Sequence, residues 1–167
     1  MKNTVQDISK SELSMEIKGT QDTLQLVKLS PYQISNDWEA IASVIEYVLP
    51  PLSSEKNKDR MNNLLKTLIE ELADCWILSK DGGTIAVFIT NIIVDQMTND
   101  RCFNIHSLYG YRPLNMRLWT MLFEIVEKKA IELKCNKVVG YSSVPRIIEL
   151  AESFGWETDC RFISKEV

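Results

Sequence analysis

The chain has 167 residues, enough for a single domain with a substantial core. Its 45% hydrophobic and 25% charged content is the balance of an ordinary globular protein. A net charge of −4 and an isoelectric point near 5.1 argue against nucleic acid as the main partner, because duplex binding is driven largely by Lys and Arg neutralising phosphates.

No apolar run approaches the roughly 18 residues that span a bilayer. The first residues, Met1 to Asp7, lack the apolar stretch of a secretion signal. A soluble, cytoplasmic protein with no membrane contact is the expectation. Cys75, Cys102, Cys135 and Cys160 are widely scattered and the chain has one histidine, which does not form a zinc site. Buried, reduced thiols are expected instead.

Residues 1–22 are polar and without periodicity, and they read as a flexible N-terminal arm or one that orders against a partner. Residues 23–167 then form the folded domain. Thr23–Leu29 alternates as a first strand, closed by Ser30-Pro31. Ser35-Asn36-Asp37 offer caps for a helix burying Trp38, Ile41, Val44, Ile45, Val48 and Leu49, which Pro50-Pro51 stops. After a polar linker, Met61, Leu64, Leu65, Leu68, Ile69 and Leu72 recur at helical spacing, and this second helix ends near Asp74.

Cys75–Ser79 and Thr84–Val94 flank Asp81-Gly82, a tight-turn pair that needs positive φ and signals a hairpin. The second of these strands is apolar on both faces, as a covered central strand is. After a turn at Met97–Asp100, Cys102–Gly110 completes an antiparallel meander. A long helix runs from about Asn115 to Leu133, with Leu118, Met121, Leu122, Ile125, Val126, Ala130 and Leu133 inward and Glu127-Lys128-Lys129 on a solvated face. Lys137–Tyr141 reads as a short buried strand, Pro145–Phe154 as a helix with Pro145 in its first turn, and Cys160–Ser164 as a last strand. The order β-α-α-β-β-β-α-β-α-β makes an α/β fold with one mixed central sheet flanked by helices.

Val144-Pro145-Arg146-Ile147-Ile148-Glu149-Leu150-Ala151-Glu152-Ser153-Phe154-Gly155-Trp156 resembles the C-terminal signature of the GNAT superfamily of CoA-dependent N-acetyltransferases, Asn-Pro-x-Ala-x-x-Leu-Tyr-x-x-x-Gly-Phe. Pro145, Leu150, Gly155 and Trp156 are in register. Val144 stands where the family has Asn, and Ala151 where it has Tyr. The element order matches that family from about Thr23 onward. Together with the hairpin and the poorly conforming phosphate loop, the chain looks most like phage-encoded GNAT-like proteins.

The resemblance implies an acetyl-CoA pyrophosphate held by a Gln/Arg-x-x-Gly-x-Gly/Ala loop, where backbone N–H groups and a helix N-terminus form an anion cradle. Here that loop is Arg112-Pro113-Leu114-Asn115-Met116-Arg117, with Asn115 and Arg117 at the glycine positions and no N–H at Pro113. Arg112 and Arg117 are the candidate cofactor-binding residues. Family catalysis also implies a base on the fourth strand and a tyrosine acid. The Cys102–Leu108 strand carries no carboxylate, which leaves His106 as the candidate base. Ala151 has no proton to give, so Tyr141 or Tyr109 would have to substitute.

Two functions follow. One is a GNAT-like protein without a functional CoA site or cofactor, acting as a structural or interaction protein. Its partner would be another protein or further subunits, engaged through residues 1–22, and it would be a virion or assembly component if phage-encoded. The alternative is a divergent acetyl-CoA-dependent N-acyltransferase, with CoA beside His106–Gly110.

Overall fold

A computed structural model of the chain describes residues 14–19, 22–50, 57–159 and 165, with side chains from Leu24 onward. Among these residues six strands form one sheet in chain order: β1 (Ser14–Gly19), β2 (Asp22–Lys28), β3 (Asp74–Lys80), β4 (Gly83–Val94), β5 (Arg101–Gly110) and β6 (Lys137–Gly140). Neighbours are antiparallel except β5 and β6, which run parallel. Four α-helices accompany them: α1 (Pro31–Ile45), α2 (Arg60–Ile69), α3 (Met116–Glu132) and α4 (Pro145–Ser153). This is the expected α/β arrangement of one mixed sheet flanked by helices.

The continuous apolar run of β4 produces the layering. Residues from Ile85 to Thr90 are all buried, so both faces of the strand need a cover. On one face α3 packs Leu118, Met121, Leu122, Ile125 and Val126 against Trp76, Leu78, Ala86, Phe88 and Phe103. On the other, Ile34, Ile41 and Ile45 of α1 and Leu68 of α2 pack against Cys75, Val87 and Ile89. The polar groups of Trp76 and Thr90 within the first layer satisfy each other, Trp76 Nε1–H donating to Thr90 Oγ1 at 2.9 Å. The hairpin before β4 is the expected tight turn, with Asp81 and Gly82 both at positive φ and Lys80 paired to Gly83.

Helix α1 starts earlier than the expected caps at Ser35-Asn36-Asp37. Ser30 is its N-cap, and Ser30 and Gln33 form a reciprocal capping box with Pro31 at the first helical position, a combination that satisfies two orphan N–H groups and presets φ. The earlier start also buries Ile34. The helix stops at Ile45 and tightens into a 3-10 turn, Glu46–Val48, ahead of Pro50.

Three helices end alike, on a left-handed residue with the following N–H reaching back to the last turn. Glu71, Lys134 and Gly155 have φ of 55°, 57° and 81°. Leu72, Cys135 and Trp156 donate to the carbonyls of Thr67, Ala130 and Ala151 at 3.0, 2.9 and 3.0 Å. The Gly155-Trp156 pair of the family-like signature is therefore a helix stop.

Several expectations need correcting. Ser14–Gly19, placed in a flexible arm over 1–22, form a strand that pairs with β2 along its whole length. Helix α2 ends at Ile69, not near Asp74, so Leu72 lies beyond the stop and is 67% exposed. Lys129, assigned to a solvated face, is only 7% exposed and is held by Glu132 Oε2 at 3.0 Å. Strand β6 is half-exposed instead of buried. The expected strand Cys160–Ser164 lies outside the described residues.

Left-handed lysine at an exposed helix stop carries a cost that glycine does not. Lys134→Gly is expected to raise stability by about 0.5–1 kcal/mol in urea denaturation, and Gly155→Ala to lower it by roughly as much.

Candidate functional site

Strands β5 and β6 pair only from Cys102–Lys137 to Ile105–Gly140. Beyond that point β6 ends, while β5 runs on through His106 to Gly110. A parallel pair that parts midway exposes backbone N–H and C=O groups along the strand that continues.

His106 stands at the point of parting. In the β4–β5 ladder Ile89 pairs with Ser107 and Thr90 with Ile105, so His106 is the extra residue of a β-bulge. Bulges bend a strand and re-aim the inserted side chain. The His106 Nδ1 atom lies 2.7 Å from Ser107 Oγ, and Ser107 is buried. Burial also pushes the imidazole below its ordinary pKa, since desolvation disfavours the charged ring. A half-buried, neutral imidazole at a strand opening is able to accept a proton.

The other candidates do not gather around it. Tyr109 faces the α1–α2 layer and meets Tyr111 edge-on, with ring centroids 5.3 Å apart. Burial, then the Tyr109 and Cys75 groups, raise the Tyr111 hydroxyl above its usual value. Tyr141 follows directly after β6 and is 41% exposed. Ala151 sits in α4, its carbonyl taken up by the helix stop. The Cys75 thiol, fully buried and beside Asp74, is pushed up to about 12, which makes it inert as a nucleophile. Among the described residues no group of His, Cys, Asp and Glu could hold a metal ion.

The loop into α3 determines whether an anion has a seat. Asn115 is the N-cap of α3, and its Oδ1 accepts the N–H of Leu118 at 2.9 Å. One of the amides that a helix N-terminus offers to a phosphate is therefore already engaged. Pro113 brings no N–H, and side chains occupy positions 115 and 117 where the cradle needs bare backbone. Arg112 is exposed and leans on the β3–β4 hairpin: its Nη2 would lie 3.7 Å from a Cβ on Gly83. That places the guanidinium on the β4 flank of β5, away from the β6 side where the strands part. Arg117 is exposed at the second position of α3. The loop thus departs from the Gln/Arg-x-x-Gly-x-Gly/Ala cradle that the resemblance implies.

Sequence reasoning identified His106 but not its bulge, which depends on the cross-strand register. It also missed the cap role of Asn115, whose signal was available: an Asn immediately before a periodic apolar run. The amide pair of half-buried Asn91 and buried Asn104, joined at 2.8 Å one pair below the bulge, gave no sequence signal. Among the described residues its Asn104 Oδ1 has no hydrogen-bond donor.

Three measurements check this geometry. The chain has one histidine, so a single imidazole resonance titrates, and its midpoint is expected below the ordinary value of about 6.5. A lowered folded pKa means that the unfolded chain takes up the proton first. The stability associated with neutral His106 is present above the ordinary value and is lost as pH falls through the lowered one; His106→Asn should flatten that part of the stability profile. Removing the α3 cap by Asn115→Ala should cost about 1 kcal/mol in urea denaturation.

No family model matches the sequence, and no curated protein matches it significantly. Solved structures do. Ribosomal-protein-alanine N-acetyltransferase from Brucella melitensis biovar Abortus 2308 superposes with a TM-score of 0.60 at 15% identity, over 85% of this chain and 99% of that one. Glucosamine-6-phosphate N-acetyltransferase from Arabidopsis thaliana gives 0.57 at 15% identity, over 86% and 98%. A predicted acetyltransferase with acetyl-CoA from Clostridium acetobutylicum gives 0.58 at 16% identity, over 86% and 96%. The likeness spans nearly the full length of each neighbour: the chain has the fold of the GNAT acetyltransferases.

Proposed function

We propose that this protein uses the GNAT fold as an interaction scaffold and does not carry out CoA chemistry. The observation that supports this most is the Asn115 cap. The first turn of α3, which the family aims at a pyrophosphate, is closed here by the chain's own side chain. Pro113 and the side chains of Asn115 and Arg117 act in the same direction, because each removes a donor or blocks close backbone approach. The missing hydroxyl at Ala151 removes the family's usual proton source. Exposed apolar residues such as Tyr32, Tyr47, Leu72 and Met97 offer surface to a protein partner.

A second function, a divergent acetyl-CoA-dependent N-acyltransferase, is favoured by one observation. His106 is held neutral by burial at the point where β5 and β6 part, which is where a base would serve an incoming amine.

Calorimetric titration with acetyl-CoA separates the two. The scaffold proposal expects no saturable heat at micromolar concentrations. Low-micromolar binding that is lost in Arg112→Ala and Arg117→Ala would overturn the scaffold proposal and favour the acyltransferase.

A further inference from the structure

Between Lys28 and Lys56 the sequence has no lysine or arginine, yet it carries Asp37, Glu39, Glu46 and Glu55. Those four account for the whole charge surplus of the chain, since 19 of its 23 acids lie elsewhere, against all 19 of its bases. Helix α1 fills most of this stretch, and its periodicity sorts the residues onto two faces. Ile34, Ile41 and Ile45 are buried. Opposite them, Tyr32, Asn36, Glu39, Ser43 and Tyr47 make one exposed stripe that continues into the 3-10 turn. The two tyrosines close its ends, 75% and 84% exposed and about 22 Å apart at 1.5 Å per residue. Glu39 lies between them, and Glu46 lies beside Tyr47, where Arg60 of α2 donates to its Oε1 at 3.1 Å.

We infer that this outer face of α1 is a docking surface for a basic protein segment, one rich in arginine or lysine. Charge decides the class of partner. Nucleic acid and anionic membrane share the sign of the face. A second copy laid α1 against α1 would oppose acid with acid, and the helix holds no base to answer them; like charges brought together across an interface cost affinity. The tyrosines suit the same partner, because arginine and lysine heads stack over aromatic faces and tyrosine is enriched in interface cores. The face is also preorganised. Its buried isoleucines and the capping box at Ser30 hold α1 in place, so little ordering is required on binding. A partner helix of about four turns, or about seven extended residues, covers the stripe. The inference rests on the scaffold reading, for which it names the surface and the class of partner.

The test uses the full chain and a short fluorescein-labelled peptide of alternating arginine and alanine, read by fluorescence anisotropy and by the ring resonances of Tyr32 and Tyr47. Saturable binding should shift both rings. Glu39→Lys should weaken it about tenfold, and Tyr32→Ala and Tyr47→Ala about threefold each. All three residues are exposed, so the variants keep the fold. Glu127→Lys makes the same charge change on the exposed side of α3 and should leave binding unchanged. Absence of saturable binding overturns the inference. So does equal weakening by Glu127→Lys and Glu39→Lys, which would mark attraction to net charge alone. Concentration-dependent dimerisation that Glu39→Lys alters would assign the face to a second copy and overturns it too. Acetyl-CoA binding, by contrast, would remove the scaffold reading and leave the peptide result standing.

Discussion

The burial of β4 on both faces is the constraint on which the rest of the fold depends. A strand with six successive buried residues cannot sit at a solvent-facing edge, and it requires a helical layer above and below. Helices α1 and α2 supply one layer and α3 the other. Once α3 must lie across that face, the chain returns from it in the parallel strand β6, on the far side of β5. The site where β5 and β6 part is thus a consequence of how the core is closed, and it persists whatever chemistry the loops around it retain.

That separation of scaffold from chemistry explains an otherwise contradictory set of residues. The Gly155-Trp156 end of the family-like segment has a packing role of its own, in a helix stop and a ring contact. Gly155 permits the left-handed stop, and the Trp156 ring lies tilted against Phe123 with ring centroids 5.1 Å apart. Leu118, Ile125 and Val126 fill the core beneath α3. The loop before α3 is built differently from an anion cradle: Pro113 brings no N–H, and Asn115 caps α3 with its own side chain. Ala151 carries no hydroxyl. His106 is the exception, a titratable group at the bulge whose low pKa follows from burial.

The parts of the fold legible in the sequence were those with a local physical cause. Asp81-Gly82 announced its turn through positive φ, the alternating and continuous apolar runs announced β2 and β4, and the three-four spacing announced α3. Boundaries set by competition between signals were harder. Ser30-Pro31 ends β2 and caps α1 at once, and only the first role was visible until Gln33 was seen to close the capping box. Glu71 stops α2 from a left-handed conformation that no composition rule favours for glutamate, so Leu72 was misplaced in the core. Lys129 looked solvated by residue type, yet its neighbours in space bury it. The candidate site was legible as residues and not as geometry, because the bulge at His106 and the lean of Arg112 toward Gly83 depend on pairing between distant segments.

The claim that the first turn of α3 is closed by its own cap is tested most directly by the backbone amide resonances of Met116, Arg117 and Leu118 during titration with acetyl-CoA. A turn capped by Asn115 predicts that these three amides stay unmoved while ligand is added to millimolar concentration. A saturable shift centred on them, with Leu118 released from Asn115, would contradict the account.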